Sequence, residues 1–163
     1  MDVIEYDGEI TRLARRWFYL DELERAAGDR LRVITAEARS YLGVTSVGHR
    51  RYDVVVSDCF GGAEPVRELA TVEALRLVRG SLNPGGIYVA NIVSANRGSD
   101  VTFLRDCVAA ALEVFAHAWV VPCGDAEFGG EENYLLVASD GDYAFAEAVP
   151  FDADFLGTVL HDK

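Results

Sequence analysis

Short runs rich in Val, Ile and Tyr alternate along this chain with stretches whose apolar positions recur every three or four residues. That rhythm predicts strands and helices in turn, and hence an α/β sheet with mostly parallel strands rather than a sandwich. Val3 to Tyr6 predicts a first strand. After Asp7-Gly8, residues Ile10, Leu13, Ala14, Trp17 and Phe18 recur at helical spacing with Arg12, Arg15 and Arg16 between them, the pattern of an amphipathic helix. Leu20 to Ala27 predicts a second helix ending at Gly28-Asp29, Leu31 to Ile34 a strand, and Ala38 to Leu42 a short helix. Tyr52 to Ser57, with three consecutive Val, has the composition that a central strand buried on both faces requires.

Leu69 to Leu82 predicts a helix with Leu69, Val72, Leu75, Val78 and Leu82 on one stripe. Asn83-Pro84-Gly85-Gly86 ends it, because Pro cannot continue a helix and Gly accepts the left-handed conformation that follows one. Ile87 to Val93 is the next strand. Ser99 or Asp100 is placed to cap a helix running to about Phe115. Ala118 to Val121 and Tyr134 to Ala138 predict a closing hairpin across the acidic, Gly-rich loop from Gly124 to Glu132, and Phe151 to Leu160 a last helix. No repeat or linker interrupts the pattern, so a single domain over residues 1–163 is expected.

Composition changes this picture in one respect. The 163 residues carry 27 acids against 15 Lys plus Arg, a net charge of −12, which argues against a generic affinity for nucleic acid or an anionic membrane. The excess is local: residues 121–163 hold ten acids and one Lys. Interleaved with apolar residues, these acids predict a solvated outer face rather than a disordered tail. Cys59, Cys107 and Cys123 lie far apart without flanking His, so neither a metal site nor a disulfide framework is suggested, and a reducing cytoplasm is expected. No leader and no uninterrupted apolar run of membrane length is visible, which predicts a soluble protein.

In doubly wound sheets a ligand sits beyond the carboxyl ends of the strands, so polar residues there are the first candidates for chemistry. Glu5 and Asp7 end the first strand, Glu37 follows the second, Asp58 follows the Val-rich strand and Asn91 closes the next. Glu5 is suited to accept two bonds from ribose hydroxyls, or is a solvated strand end. Asp7 reads better as a helix cap. Glu37 fits either an acceptor for an exocyclic adenine amine or a solvated loop acid. Asp58, where the sheet opens, is placed to take a proton from an attacking amine or to hold a cationic substrate. The pairs Gly61-Gly62, Gly85-Gly86 and Gly129-Gly130 do not form a dinucleotide fingerprint, and His49, His117 and His161 have no partner at metal or triad spacing.

The order of these segments resembles the spermidine synthase family, within the class I S-adenosylmethionine-dependent methyltransferase fold. VIEYDGEITRLARRWF resembles its "VEID…V…AR…F" segment and ITAEARSYL its "V.DAR.YL" segment. YDVVVSDCFGGAEPVRELATVEAL resembles "YDVI..D..D.…P…L.T.EF", and LNPGGIYVANI the "L.PGG" strand. The resemblance spans most of residues 2–139 and implies a Rossmann-like, mostly parallel sheet with a C-terminal antiparallel hairpin. It implies that Glu5 holds the cofactor ribose, that Glu37 and Ala38 contact the adenine, that Pro65 and Leu69 belong to the cofactor-side loop, and that Asp58 is the catalytic acid. The implied reaction is transfer of an aminopropyl group from decarboxylated S-adenosylmethionine to a small-molecule amine, by a cytoplasmic homodimer without metal.

The chain departs from that pattern in two places. The family's second acid, three residues after the first, is here Gly61, which puts a diamine acceptor in doubt. The family's first strand and Gly-rich loop would precede Val3, so the expectation is a fragment of a longer protein, inactive by itself, with Met1 an internal methionine. The alternatives are a class I methyltransferase using S-adenosylmethionine, and a non-catalytic, self-associating domain in which a second copy fills the open sheet centre.

Overall fold

The computed structural model describes the chain apart from residues 49, 62–63, 96–100 and 125–130, and apart from the side chains of residues 64, 65, 95, 131 and 132. The expected caps Ser99 and Asp100, most of the acidic loop and His49 therefore lie outside the described residues. The chain divides into two compact units, Met1–Val44 and Thr45–Lys163.

In the first unit, β1 (Asp2–Glu5) pairs in parallel with β2 (Arg32–Thr35), in the register Val3 to Val33 and Glu5 to Thr35. Helices α1 (Gly8–Trp17) and α2 (Leu20–Ala27) connect them. Asp7 caps α1 by accepting a hydrogen bond from the Glu9 N–H at 2.8 Å, as its position before the periodic stretch predicts. Tyr19, the one described residue other than glycine with positive φ, sets the break between the helices at φ 59°. Arg15 bridges to Glu24 across that break at 2.8 Å. Helix α3 (Ala38–Val47) follows β2 and runs five residues beyond the expected Leu42, across the boundary between the units.

In the second unit, β3 (Tyr52–Ser57), β6 (Leu82–Ala95), β8 (Glu131–Ser139) and β7 (His117–Pro122) form one sheet in that order. The β3–β6 pairing is parallel, and β8 runs antiparallel to both β6 and β7, the closing hairpin that the sequence predicts. A small antiparallel ladder of β4 (Phe60–Gly61) and β5 (Glu64–Pro65) stands in the segment after β3. Helices α4 (Val72–Ser81) and α5 (Thr102–Leu112) supply the apolar layer. Val72, Leu75 and Val78 of α4, with Leu104, Val108 and Ala109 to Ala111 of α5, bury against Tyr88, Ala90, Ile92, Leu136 and Ala138 of the sheet. Each fully buried Leu or Val contributes roughly 1.5–3 kcal/mol. The run of Ala in α5 brings that helix close to the strands. No helix among the described residues is long and apolar enough to cross a membrane.

Three expectations need correction. The Val-rich strand is not buried on both faces: β3 is an edge of its sheet, and Val54 and Val56 are 50% and 67% exposed. Strand alternation explains why, since Val55 and Ser57 pair with Tyr88 and Ala90 on the face that α4 and α5 cover, whereas Val54 and Val56 point to the other. The expected helix from Leu69 to Leu82 is a 3-10 turn at Arg67–Leu69 followed by α4, because Thr71 is a better helix start than Leu69. Leu82 belongs to β6, in which Asn83 to Gly86 bulge out between the Tyr52–Leu82 and Val54–Ile87 pairs, with Gly85 at φ 73°.

The expected last helix is one 3-10 turn, Ala153–Phe155, capped by Asp152. The rest of that segment is an extended strap. Its backbone bonds go to α4 and α5: Gly157 N–H to the Arg105 carbonyl at 3.2 Å, Thr158 N–H to Asp106 Oδ1 at 2.7 Å and the Val72 N–H to the Leu160 carbonyl at 2.8 Å. A helix would have taken those groups for itself.

Candidate active site

In the second unit, β3 ends at Ser57 while β6 continues to Ala95 along β8, so Asn91 lies within its strand and does not close it as expected, and the residues just past the β3–β6 paired stretch form the site. Asp58 follows Ser57, whose neighbour across the ladder is Ala90. Asn91 is next on β6, and its Nδ2 donates to Asp58 Oδ1 at 2.9 Å. The structure thus brings together two of the polar residues that strand ends predicted, and it holds the Asp58 carboxylate by an amide instead of by a cation.

Asn91 Oδ1 is buried and accepts no hydrogen bond among the described residues. The opposite assignment of the amide would set its oxygen against a carboxylate, so the bond to Asp58 fixes which way it points. Asn91, but not Asp58, also lines a cleft with Ser57, Cys59, Leu69, Tyr88, Phe103 and Cys107 among others. It offers about 30 Å³ to a water-sized occupant, which is room for one or two waters. Burial raises the Tyr88 hydroxyl well above the usual range, opposed by a hydrogen bond with Ser57, so Tyr88 stays a neutral donor.

Burial, and after it the charge of Asp106, likewise pushes the Cys107 thiol up to about 12. All three cysteines are free. Cys107 is inert at neutral pH.

The other predicted residues have these positions. Leu69 lines the cleft from the end of its 3-10 turn, and Pro65 is in β5, its side chain outside the described set. Glu5 and Glu37 belong to the first unit, Glu5 as the last residue of β1 and Glu37 two residues past the end of β2. Glu5 Oε1 accepts from the Asp7 N–H at 2.8 Å, which leaves Oε2 for a further donor. Glu37 immediately precedes α3 and accepts from the N–H groups of Arg39 and Ser40, both at 2.7 Å. Desolvation raises its pKa, but those bonds and the Arg39 charge outweigh that and lower it overall. Glu37 is therefore a helix cap, a role the sequence reading missed because Glu is an unusual residue at that position. Ala38 is the first residue of the same helix.

A second missed feature is the lock on the start of α4. His161 Nδ1 lies 3.0 Å from Glu73 Oε1, the Asp162 N–H donates to Glu73 Oε2 at 3.0 Å, and the Thr71 hydroxyl donates to Asp162 Oδ1 at 2.8 Å. These residues are some ninety positions apart, so no local pattern signals them. The lock fixes the helix that directly follows the Leu69 wall of the cleft.

A parallel β3–β6 pair extended by an antiparallel hairpin, with a polar site just past the parallel-paired stretch, places the chain in the methyltransferase-type class of α/β fold. A methyltransferase from Pyrococcus furiosus shares this fold, with a TM-score of 0.57 at 17% identity, over 86% of this chain and 62% of that one. A probable spermidine synthase from Corynebacterium glutamicum is more similar, with a TM-score of 0.77 at 25% identity, over 99% of this chain and 63% of that one. Among curated proteins, the polyamine aminopropyltransferase of Aeropyrum pernix is 30% identical over 144 residues, 85% of this chain and 43% of that protein. That of Vibrio vulnificus is 30% identical over 97 residues, 60% of this chain and 31% of its own length. No protein-family profile matches the chain. The chain is spermidine-synthase-like, and it spans about a third to two-fifths of the curated relatives it matches.

Proposed function

We propose that this chain carries the acceptor-side chemistry of an aminopropyl transfer, with decarboxylated S-adenosylmethionine as donor and a small-molecule amine as acceptor. The single observation that carries the reading is the Asp58–Asn91 pair at 2.9 Å, just past the stretch over which β3 and β6 pair. The aminopropyltransferase relatives support the reaction class.

In this reading the acceptor nitrogen attacks the propyl carbon attached to the sulfonium. The carbon–sulfur bond breaks with its electron pair staying on sulfur, and the proton lost by nitrogen goes to Asp58. Asn91 orients the carboxylate so that one oxygen stays turned to the acceptor. Glu5, with one oxygen uncommitted, fits a ribose hydroxyl; Glu37, whose two oxygens already cap α3, fits an adenine contact less well, and Ala38 adjoins it. Pro65 and Leu69 follow Asp58 in the segment proposed to meet the donor.

Asp58→Asn keeps the size of the side chain and removes the proton acceptor. General-base contributions of this kind are worth about 10² to 10⁴ in rate. Aminopropyl transfer by the Asp58→Asn protein should fall by at least about a hundredfold. Unchanged turnover would remove Asp58 from the mechanism.

A second reading rests on a separate observation. Among the described residues, β1 pairs only with β2 and β3 only with β6, so each sheet ends in a parallel-paired edge strand. Edges of this kind invite another strand, and a second copy of the chain is the proposed occupant.

A further inference from the structure

We infer that the second unit holds a further ligand site at the opposite end of its sheet from Asp58, built to take a carboxylate on a small apolar body. Arg51, Arg79 and the Asn83–Gly86 bulge border a groove of about 380 Å³, against about 30 Å³ in the cleft that Asn91 lines, and within the roughly 300–1,000 Å³ of small-molecule sites. Leu82, also in its lining, pairs with Tyr52, the first residue of β3. Asp58 stands six residues further along the chain, about 20 Å at the rise of a strand, so the two sites are separate.

The acceptors around the groove are taken. Asp140 Oδ1 accepts from the Ala116 N–H at 3.1 Å and Oδ2 from Arg79 Nε at 2.7 Å. The Gly85 carbonyl accepts from the Tyr143 hydroxyl at 2.7 Å, and the Gly86 carbonyl from the Ser139 hydroxyl at 2.8 Å. The donors are not. Arg51 is anchored through Nη1, to the carbonyls of Gly48 at 2.8 Å and of Thr45 and Arg50, both at 3.3 Å. Among the described residues, no acceptor meets Arg51 Nε and Nη2, or Arg79 Nη1 and Nη2.

Two guanidiniums, each held in place with N–H groups to spare, match an oxyanion. Asp140 already offsets one of the two charges. Asp53, outside the lining but bonded to Asn83 Nδ2 at 2.8 Å, weighs against a second negative charge on the ligand. A carboxylate carries one charge where a phosphate carries nearly two. The apolar part of the lining, Leu82, Pro84 and Phe115, suits an uncharged body behind that group.

Three probes test this on the ¹⁵N-labelled chain at constant ionic strength: benzoate, its neutral analogue benzamide, and inorganic phosphate. The Nε–H signals of Arg51 and Arg79 and the backbone amides of Gly85 and Gly86 are followed against the backbone amides of residues 57–59. Benzoate is expected to shift the first group saturably and to leave residues 57–59 in place, with benzamide and phosphate each weaker by at least about tenfold. Arg51→Gln should weaken benzoate by about tenfold, whereas Arg12→Gln, an exposed position outside the groove, should not. Arg51→Gln leaves the Arg79–Asp140 bridge in place, and the comparison of the three probes on the unaltered chain stands whether or not the variant folds.

Benzamide or phosphate binding as tightly as benzoate overturns the inference. So do benzoate shifts centred on residues 57–59, unchanged benzoate binding by a folded Arg51→Gln protein, or no saturable shift at all. None of these outcomes touches the aminopropyl-transfer reading, which rests on Asp58 and Asn91.

Discussion

Asp58 stands one residue past the paired stretch of an edge strand, with no cation beside it among the bonds described and one amide holding it. That environment differs from the one around Glu73, where the titration of a single carboxylate becomes a statement about stability. The bond from His161 first, and then the Asp162 N–H, lower Glu73 from its ordinary 4.5 to about 2. A depressed carboxylate stabilises the fold fully above its unfolded value and loses that contribution as pH falls through its folded one. The difference in stability between the protein and Glu73→Gln should therefore be constant above about pH 5 and disappear toward about pH 2, as read by urea denaturation across that range. A difference that does not vary with pH would mean that the Glu73 charge is not what locks the strap.

Elements were legible in the sequence where periodicity and a cap coincided. Asp7 before the Ile10–Leu13–Trp17 stripe predicted α1, and α2 has the predicted bounds Leu20–Ala27. The hairpin of β7 and β8 was visible as two apolar runs across an acidic loop. Asp58 is legible as the residue after a strand end, whereas Asn91 lies within β6 and not at its close as expected; their mutual bond is not legible, because it joins positions 33 apart. The strap from Phe151 reads as a helix in the sequence for the same reason. Its apolar spacing is helical, but tertiary bonds to Arg105, Asp106 and Val72 outcompete a helix that Gly157 already weakens. A Cβ on Gly157 would come within 2.2 Å of Asp106 Oδ1, so the strap's close approach to α5 requires glycine there.

At the start of α4, the Thr71 hydroxyl accepts from the Ala74 N–H at 3.3 Å while donating to Asp162, thereby tying helix and strap together. Thr71→Ala should cost about 1–2 kcal/mol of unfolding free energy. A loss within experimental error in urea denaturation would show that the cap and the strap are energetically idle.

On the scale of the whole molecule, the two units differ in how much they bury. Among the described residues, Thr11 and Leu31 are the only buried ones in Met1–Val44, whereas Thr45–Lys163 holds the packed layer of α4 and α5 on the sheet. The first unit also exposes Tyr6, Ile10, Trp17, Phe18, Tyr19 and Leu23. Apolar surface of this extent, together with the open edges of β1 and β3, favours association. Light scattering at micromolar concentration should report a dimer; a monomer would count decisively against a second copy as the occupant of those edges.

The donor itself discriminates between the proposed aminopropyl transfer and methyl transfer. In the carboxylated donor a negative group sits on the same three-carbon arm whose sulfur-bound carbon must approach Asp58, and two carboxylates near one another repel. Calorimetric titration of the chain with decarboxylated S-adenosylmethionine and with S-adenosylmethionine is the most direct measurement. Tighter binding of the decarboxylated form, by about tenfold, is the predicted result. Equal or tighter binding of S-adenosylmethionine would contradict the account and point to a methyltransferase.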